Sequence, residues 1–207
     1  KMEYEEQDGK LLVRYSYRLS PMAEAETTVS YTVSPDGTVA VEVSYPGAEG
    51  LPELPMLGWS MKLPADYQNV VWYGAGPEET YLDRRCGAKI GVYCTTAEDN
   101  IAGYAMPQEC GNRTDVRWAE ISDENGRGLF FEMEDAPFEL GVLPYSAFQL
   151  EDALHWDELP MPKYTWVTIA GKQMGVGGDN SWGARVHEPY CIPSDKPLSY
   201  RFTIRSI

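Results

Sequence analysis

Residues 27–45, TTVSYTVSPDGTVAVEVSY, are two runs in which apolar and polar residues alternate, joined at Ser34, Pro35, Asp36 and Gly37. Period-two alternation puts one face of each run against a core, and a turn-forming cluster between two such runs is a hairpin signal. Working outward, the same pattern returns along the chain. Further strand candidates are 11–19 (LLVRYSYRL), 59–64 (WSMKLP), 69–74 (NVVWYG) and 89–96 (KIGVYCTT). The runs DVRWAEIS (115–122) and GLFFEM (128–133) flank a turn at Asp123, Glu124, Asn125 and Gly126; 138–146, 163–171 and 199–207 complete the set. Short strands with turn signals between them predict an all-β chain, a large antiparallel β-sandwich.

One interruption breaks the pattern. In SAFQLEDALHWDELP (146–160), Ser146 and Gln149 have capping-box spacing, Leu150 and Leu154 fall on one helical face, and Pro160 stops the run, which predicts one short helix ending near His155. The proline-rich bend EGLPELPMLG (49–58) reads as a connection inside a single domain spanning 1–207.

At 207 residues and 43% hydrophobic, the chain can bury a sizeable core. Its net charge of -15 repels a nucleic-acid backbone over most of the surface. No apolar run is long enough for a signal peptide or a membrane span. Cys86, Cys94, Cys110 and Cys191 lack paired metal-ligand spacing and only His155 and His187 could add imidazoles, so no metal site is expected. Buried free thiols in a reducing compartment, the cytoplasm, are the expectation.

Few residues advertise chemistry. With 32 acidic residues, carboxylate pairs cannot be chosen from abundance, and no nucleophilic triad is visible. In YGAGPEETYLDR (73–84), Pro77 removes a backbone donor that a phosphate loop needs. Six Trp and fourteen Tyr, many beside Gly, Asn, Asp or Gln, suit sugar faces and hydroxyls instead. The stretch GVGGDNSWG (175–183) sets one Trp among four glycines, which reads either as a shaped loop presenting a ring or as a tight turn whose Trp folds onto the core.

Four strings, LPMLGWSMKLP (54–64), VVWYGAGPEETYLDR (70–84), YAMPQECGNRTDVRW (104–118) and GKQMGVGGDNSWG (171–183), resemble in order the signatures of the C-terminal small-chain domain of LacZ-type bacterial β-galactosidases, glycoside hydrolase family 2. The likeness runs from about residue 50 to the end. It implies a galactose-mutarotase-like supersandwich, here expected to be N-terminally truncated, packed beside a (β/α)8 barrel that holds the two catalytic glutamates of a retaining glycosidase. It therefore implies no catalytic residue and no cofactor in this chain, the Mg and Na ions of the family lying in other domains. The implied partners are the remaining domains of the enzyme, in a homo-oligomer, and a galactoside such as lactose or its aglycone sugar.

The resemblance assigns Trp182 to stacking on the sugar or aglycone. Gly177 and Gly178 would let the loop backbone turn, and Asp179, Asn180 and Ser181 would fix it; Asn180 replaces a second Asp found in many relatives. Glu109, Asn112, Arg113 and Asp115 are expected to line a cleft or to form a network facing the barrel. Pro77, Glu78 and Asp83 with Arg84 read as a turn closed by a local salt bridge, without a substrate role. Two other classes remain: a free-standing carbohydrate-binding module, and an aldose-1-epimerase-like enzyme, which needs an acid/base pair.

Overall fold

A computed structural model describes residues 1–18, 25–180 and 182–207. Its strands are β1 (Met2–Gln7), β2 (Lys10–Arg18), β3 (Glu26–Val33), β4 (Val39–Tyr45), β5 (Met56–Pro64), β6 (Asn69–Gly76) and β7 (Lys89–Thr96). They continue as β8 (Arg113–Val116), β9 (Trp118–Ser122), β10 (Gly128–Met133), β11 (Phe138–Leu143), β12 (Tyr164–Gln173) and β13 (Leu198–Ser206), with a helix α1 (Ala147–Asp152) after β11. One sheet has nine strands, in the order β1-β2-β3-β4-β13-β10-β9-β6-β7; the other has four, β5-β12-β11-β8. All pairings are antiparallel, so the expected all-β sandwich with one short helix is the observed architecture.

The hairpin at 27–45 forms β3 and β4. Gly37 takes a φ of +85°, and the Thr38 amide donates to the Asp36 carboxylate at 3.0 Å. Register pairs Val29 with Val43 and Tyr31 with Val41, so the alternating apolar side faces inward as one surface. β1 is an element that hydrophobic alternation misses, because every residue of its acidic sequence is exposed. Its signal lay in the turn: Asp8 and Gly9 both have positive φ, 51° and 73°, the geometry that favours Asp-Gly in a two-residue hairpin. β2 is described as far as Arg18; Leu19, the last residue of the expected strand, lies outside the described residues.

The core lies between the sheets. Phe202 of β13 is fully buried, with ring centroids of Trp59 at 5.5 Å and Phe138 at 6.3 Å from the small sheet, and of Phe131 at 6.5 Å and Tyr200 at 6.0 Å from its own. The polar tips of this cluster are satisfied across the interface: Trp59 Nε1 donates to the Tyr31 hydroxyl at 2.7 Å and Tyr200 Oη to the Ile169 carbonyl at 2.8 Å. Gly171 is required here, since a Cβ at that position would lie 2.3 Å from the Tyr200 ring.

Three expectations are corrected. The run 115–122 is two strands in different sheets: Asp115 adopts a φ of +56°, and Arg117 bonds through its backbone to Tyr73 and Met133, so β8 joins β11 while β9 joins β10 and β6. The helix ends at Asp152, not near His155. Ala153 is buried in an extended conformation and Trp156 Nε1 donates to the Tyr104 carbonyl at 2.8 Å, contacts that draw the chain off the helical path and leave Leu154 60% exposed. Of the four thiols only Cys110 is buried; Cys86 falls in a surface connection and Cys94 on the outer face of the edge strand β7, so both are exposed.

Phe202→Ala should lower unfolding stability by about 3–5 kcal/mol, because it removes the ring on which both sheets close. Urea denaturation checks this: the midpoint should fall with little change in slope.

Candidate functional site

Three connections meet at one end of the sandwich: β6–β7 (77–88), β7–β8 (97–112) and β12–β13 (174–197). Two of them are pinned by the backbone bond of the Thr80 amide to the Asn112 carbonyl and by the Tyr81 hydroxyl on Glu109. Between residues 76–88 and 101–104 they enclose an open cleft of about 820 Å³, whose wall carries Glu78, Glu79, Asp83, Arg84, Arg85 and Tyr104.

Behind the cleft lies a polar network. Asn112 Nδ2 donates to Glu139 Oε2 at 2.6 Å and to the Thr80 carbonyl at 3.0 Å, while the Gln173 amide donates to Glu139 Oε1 at 3.1 Å. Burial pushes the Glu139 carboxyl above its ordinary pKa, partly offset by those two donors. Arg113 is 7% exposed and meets neutral partners, Asn100 Oδ1 at 2.6 Å, the Asn112 carbonyl at 3.1 Å and the face of Trp72, 4.8 Å from the ring centroid. Burial accordingly pulls its pKa down. Glu109 stands at the rim of a smaller groove, its Oε1 accepting from the buried Tyr81 hydroxyl at 3.1 Å; crowding by protein raises its pKa. Asp115 is turned away from Asn112 and Arg113 and pairs with Arg85 at 2.6 Å.

The expected salt bridge in the β6–β7 connection is corrected. Arg84 pairs with Glu79, which also accepts from Tyr104 and, at 2.7 Å, from the Gly111 amide. Asp83 is thereby left for another partner, the Trp182 loop: its Oδ2 accepts from the Gly177 amide at 2.7 Å. The base of that loop is tied further by the Met174 amide on the Pro55 carbonyl and the Gly175 amide on the Tyr190 carbonyl, at 2.9 and 3.0 Å. At the tip, Asn180 Oδ1 accepts from the Trp182 amide at 2.8 Å, and Asp179 Oδ1 meets His187 Nε2 at 2.7 Å. Ser181 lies outside the described residues.

Gly175 and Gly178 serve close approach, while Gly183 takes a φ of +89°. Neither Gly177 nor Gly178 has a positive φ; a Cβ at Gly178 would stand 2.2 Å from the Ala184 carbonyl oxygen, and one at Gly175 would stand 2.6 Å from Asp83 Oδ2. Trp182 itself is 91% exposed, so the ring is presented outward and is not folded onto the core. The other histidine, His155, is exposed on the surface beyond α1. Among the described residues no group of three or more His, Cys, Asp or Glu is placed to hold a metal ion, and no helix is long and apolar enough to cross a membrane. An exposed aromatic ring and a cleft whose lining includes carboxylate, guanidinium and phenol groups are side-chain types that suit a polyhydroxylated molecule.

A family model described as beta galactosidase small chain matches residues 1–204. A beta-galactosidase of Halalkalibacterium halodurans is 46% identical over 209 residues, covering 100% of this chain and 21% of that protein. A beta-galactosidase small subunit of Latilactobacillus sakei is 34% identical, covering 94% of this chain and 64% of that protein. The chain thus spans about a fifth of the length of the first of these relatives, and under two thirds of the second. Among solved structures, the GalM/aldose epimerase homologue from C. elegans superposes with a TM-score of 0.50 at 9% identity, over 100% of this chain and 68% of that one, a likeness of fold.

The Glu139 site gives a pH dependence of fixed sign. Because its pKa is raised on folding, the folded chain holds the proton more tightly than the unfolded chain. The stability it adds is full below the ordinary glutamate value of 4.5 and is lost as pH rises through the raised value. Melting temperatures of wild type and Glu139→Gln, compared from pH ~5 to ~8, should therefore shift in favour of the glutamine variant as pH rises.

Proposed function

The chain belongs to the beta-galactosidase small-chain family, and from that premise we propose that it forms a non-catalytic wall of the sugar site in an assembled, retaining β-galactosidase of the glycoside hydrolase family 2 kind. In this reading the two catalytic glutamates stand on a (β/α)8 barrel outside these residues, where one protonates the glycosidic oxygen and the other takes up the galactosyl group. This chain packs beside the barrel and contributes Trp182, which stacks on the aglycone sugar of substrates such as lactose. The assembly works in the cytoplasm as a homo-oligomer.

The observation that carries the reading is Trp182, 91% exposed at the tip of a loop whose base is tied at three points. Exposing so large an apolar ring forfeits about 1.5–3 kcal/mol of burial, a cost that a stacking partner recovers. The cleft, to whose lining residue Asp83 the loop is bonded, offers hydroxyl partners in Tyr104, Glu78 and Arg85. The beta-galactosidase relatives, which extend far beyond the matched segment, support the division between this wall and a catalytic part elsewhere.

The test is Trp182→Ala in the assembled enzyme. Loss of a stacking ring costs about 1–3 kcal/mol, so KM for lactose should rise roughly ten- to a hundredfold while turnover of an activated aryl galactoside changes less. The melting temperature should barely move. A uniform loss on all substrates with a large fall in Tm would overturn the reading. The 207-residue chain alone should not hydrolyse a chromogenic β-galactoside.

A further inference from the structure

The loop that carries Trp182 is joined to the β6–β7 connection, which lines the cleft, through one carboxylate. Asp83 lies in the β6–β7 connection, 94 residues before Gly177, yet its Oδ2 accepts from the Gly177 amide at 2.7 Å. The same oxygen fills the space where a side chain at residue 175 would begin. Its second oxygen, Oδ1, is buried and has no hydrogen-bond donor among the described residues. Arg84, next in sequence, pairs with Glu79 instead. A carboxylate kept partly buried, with one oxygen unpartnered and no adjacent cation bonded to it, is costly to the fold by itself. Its bond to Gly177 is charge-assisted and lies between the bonds that fix Met174 and Gly175 and the tip that presents the ring.

We infer that Asp83 is a positioning residue for Trp182: it anchors the loop at Gly177 to the β6–β7 connection, and so sets where the indole stands against the aglycone. The inference rests on the reading of Trp182 given above. Asp83 touches no reacting atom in this scheme and acts only through the loop. Gly175 belongs to the same device, because a methyl group there would stand 2.6 Å from Oδ2 and displace the carboxylate from Gly177.

Two measurements on the assembled enzyme test this together. Peptide-resolved hydrogen exchange over residues 175–180 should quicken about tenfold in Asp83→Ala, as expected for loss of a hydrogen bond to a charged acceptor, and in Gly175→Ala, which breaks the same bond from the other side. Asp83→Asn keeps an acceptor oxygen without the charge and should fall between wild type and Asp83→Ala. In kinetics, Asp83→Ala should lower the ratio of kcat/KM for lactose to that for an activated aryl galactoside, mainly through KM. In a Trp182→Ala background, Asp83→Ala should add nothing to that ratio. Unchanged exchange in both Asp83→Ala and Gly175→Ala overturns the inference, as does an undiminished effect of Asp83→Ala without the Trp182 ring. Quickened exchange combined with a Trp182→Ala enzyme of normal lactose KM supports the anchor and overturns instead the role given to Trp182.

Discussion

Closure of the two sheets on one another is the constraint from which the rest of the molecule follows. A nine-stranded and a four-stranded sheet each present an apolar face, and neither face is tolerable in water. Phe202 stands at the junction, sharing its ring with Trp59 and Phe138 on one side and with Phe131 and Tyr200 on the other. Aromatic residues suit that place because they bury much area per side chain, and the indole and phenol tips find partners across the gap. The approach is close enough that position 171 admits only glycine.

With the sheets fixed, the connections at one end must cross one another, and backbone groups that leave the ladders need partners there. Side chains from different connections supply them. Asn112 and Glu139 satisfy Thr80 and Gln173, Glu79 takes the Gly111 amide, and Asn100 joins the carbonyls of Gly111 and Val142 to Arg113. The result is a connected polar network that reaches the open cleft at Glu79 and Thr80. Trp182 is the opposite case, an apolar ring given to solvent on a loop tied at its base, and that contrast between fixed backbone and unburied ring is what directs attention to binding.

Much of the architecture was legible beforehand for a simple reason: alternation and turn chemistry are local. The hairpin at 27–45 follows from its valines and from Asp36 and Gly37, and the capping box of Ser146 and Gln149 forms as spaced, with Gln149 donating its amide to Ser146 Oγ at 3.2 Å. Local pattern failed where a tertiary contact overrode it. Nothing in DVRWAEIS announces that Asp115 turns into positive φ and sends the two halves into different sheets. Nor does the helical spacing of Leu150 and Leu154 reveal that Trp156 bonds to Tyr104 and draws the chain away.

The sequence by itself determined the strand content, the turns and, through its ordered motifs, the family, because each of these is written in neighbouring residues. Only the tertiary structure decided which carboxylate serves which partner. Asp83 and Arg84 are adjacent and opposite in charge, so sequence pairs them; in the fold, Glu79 takes the arginine and Asp83 reaches the Trp182 loop, 94 residues away. The choice depends on how closely three connections approach at one end of a closed sandwich, and that distance exists only once the sheets have packed.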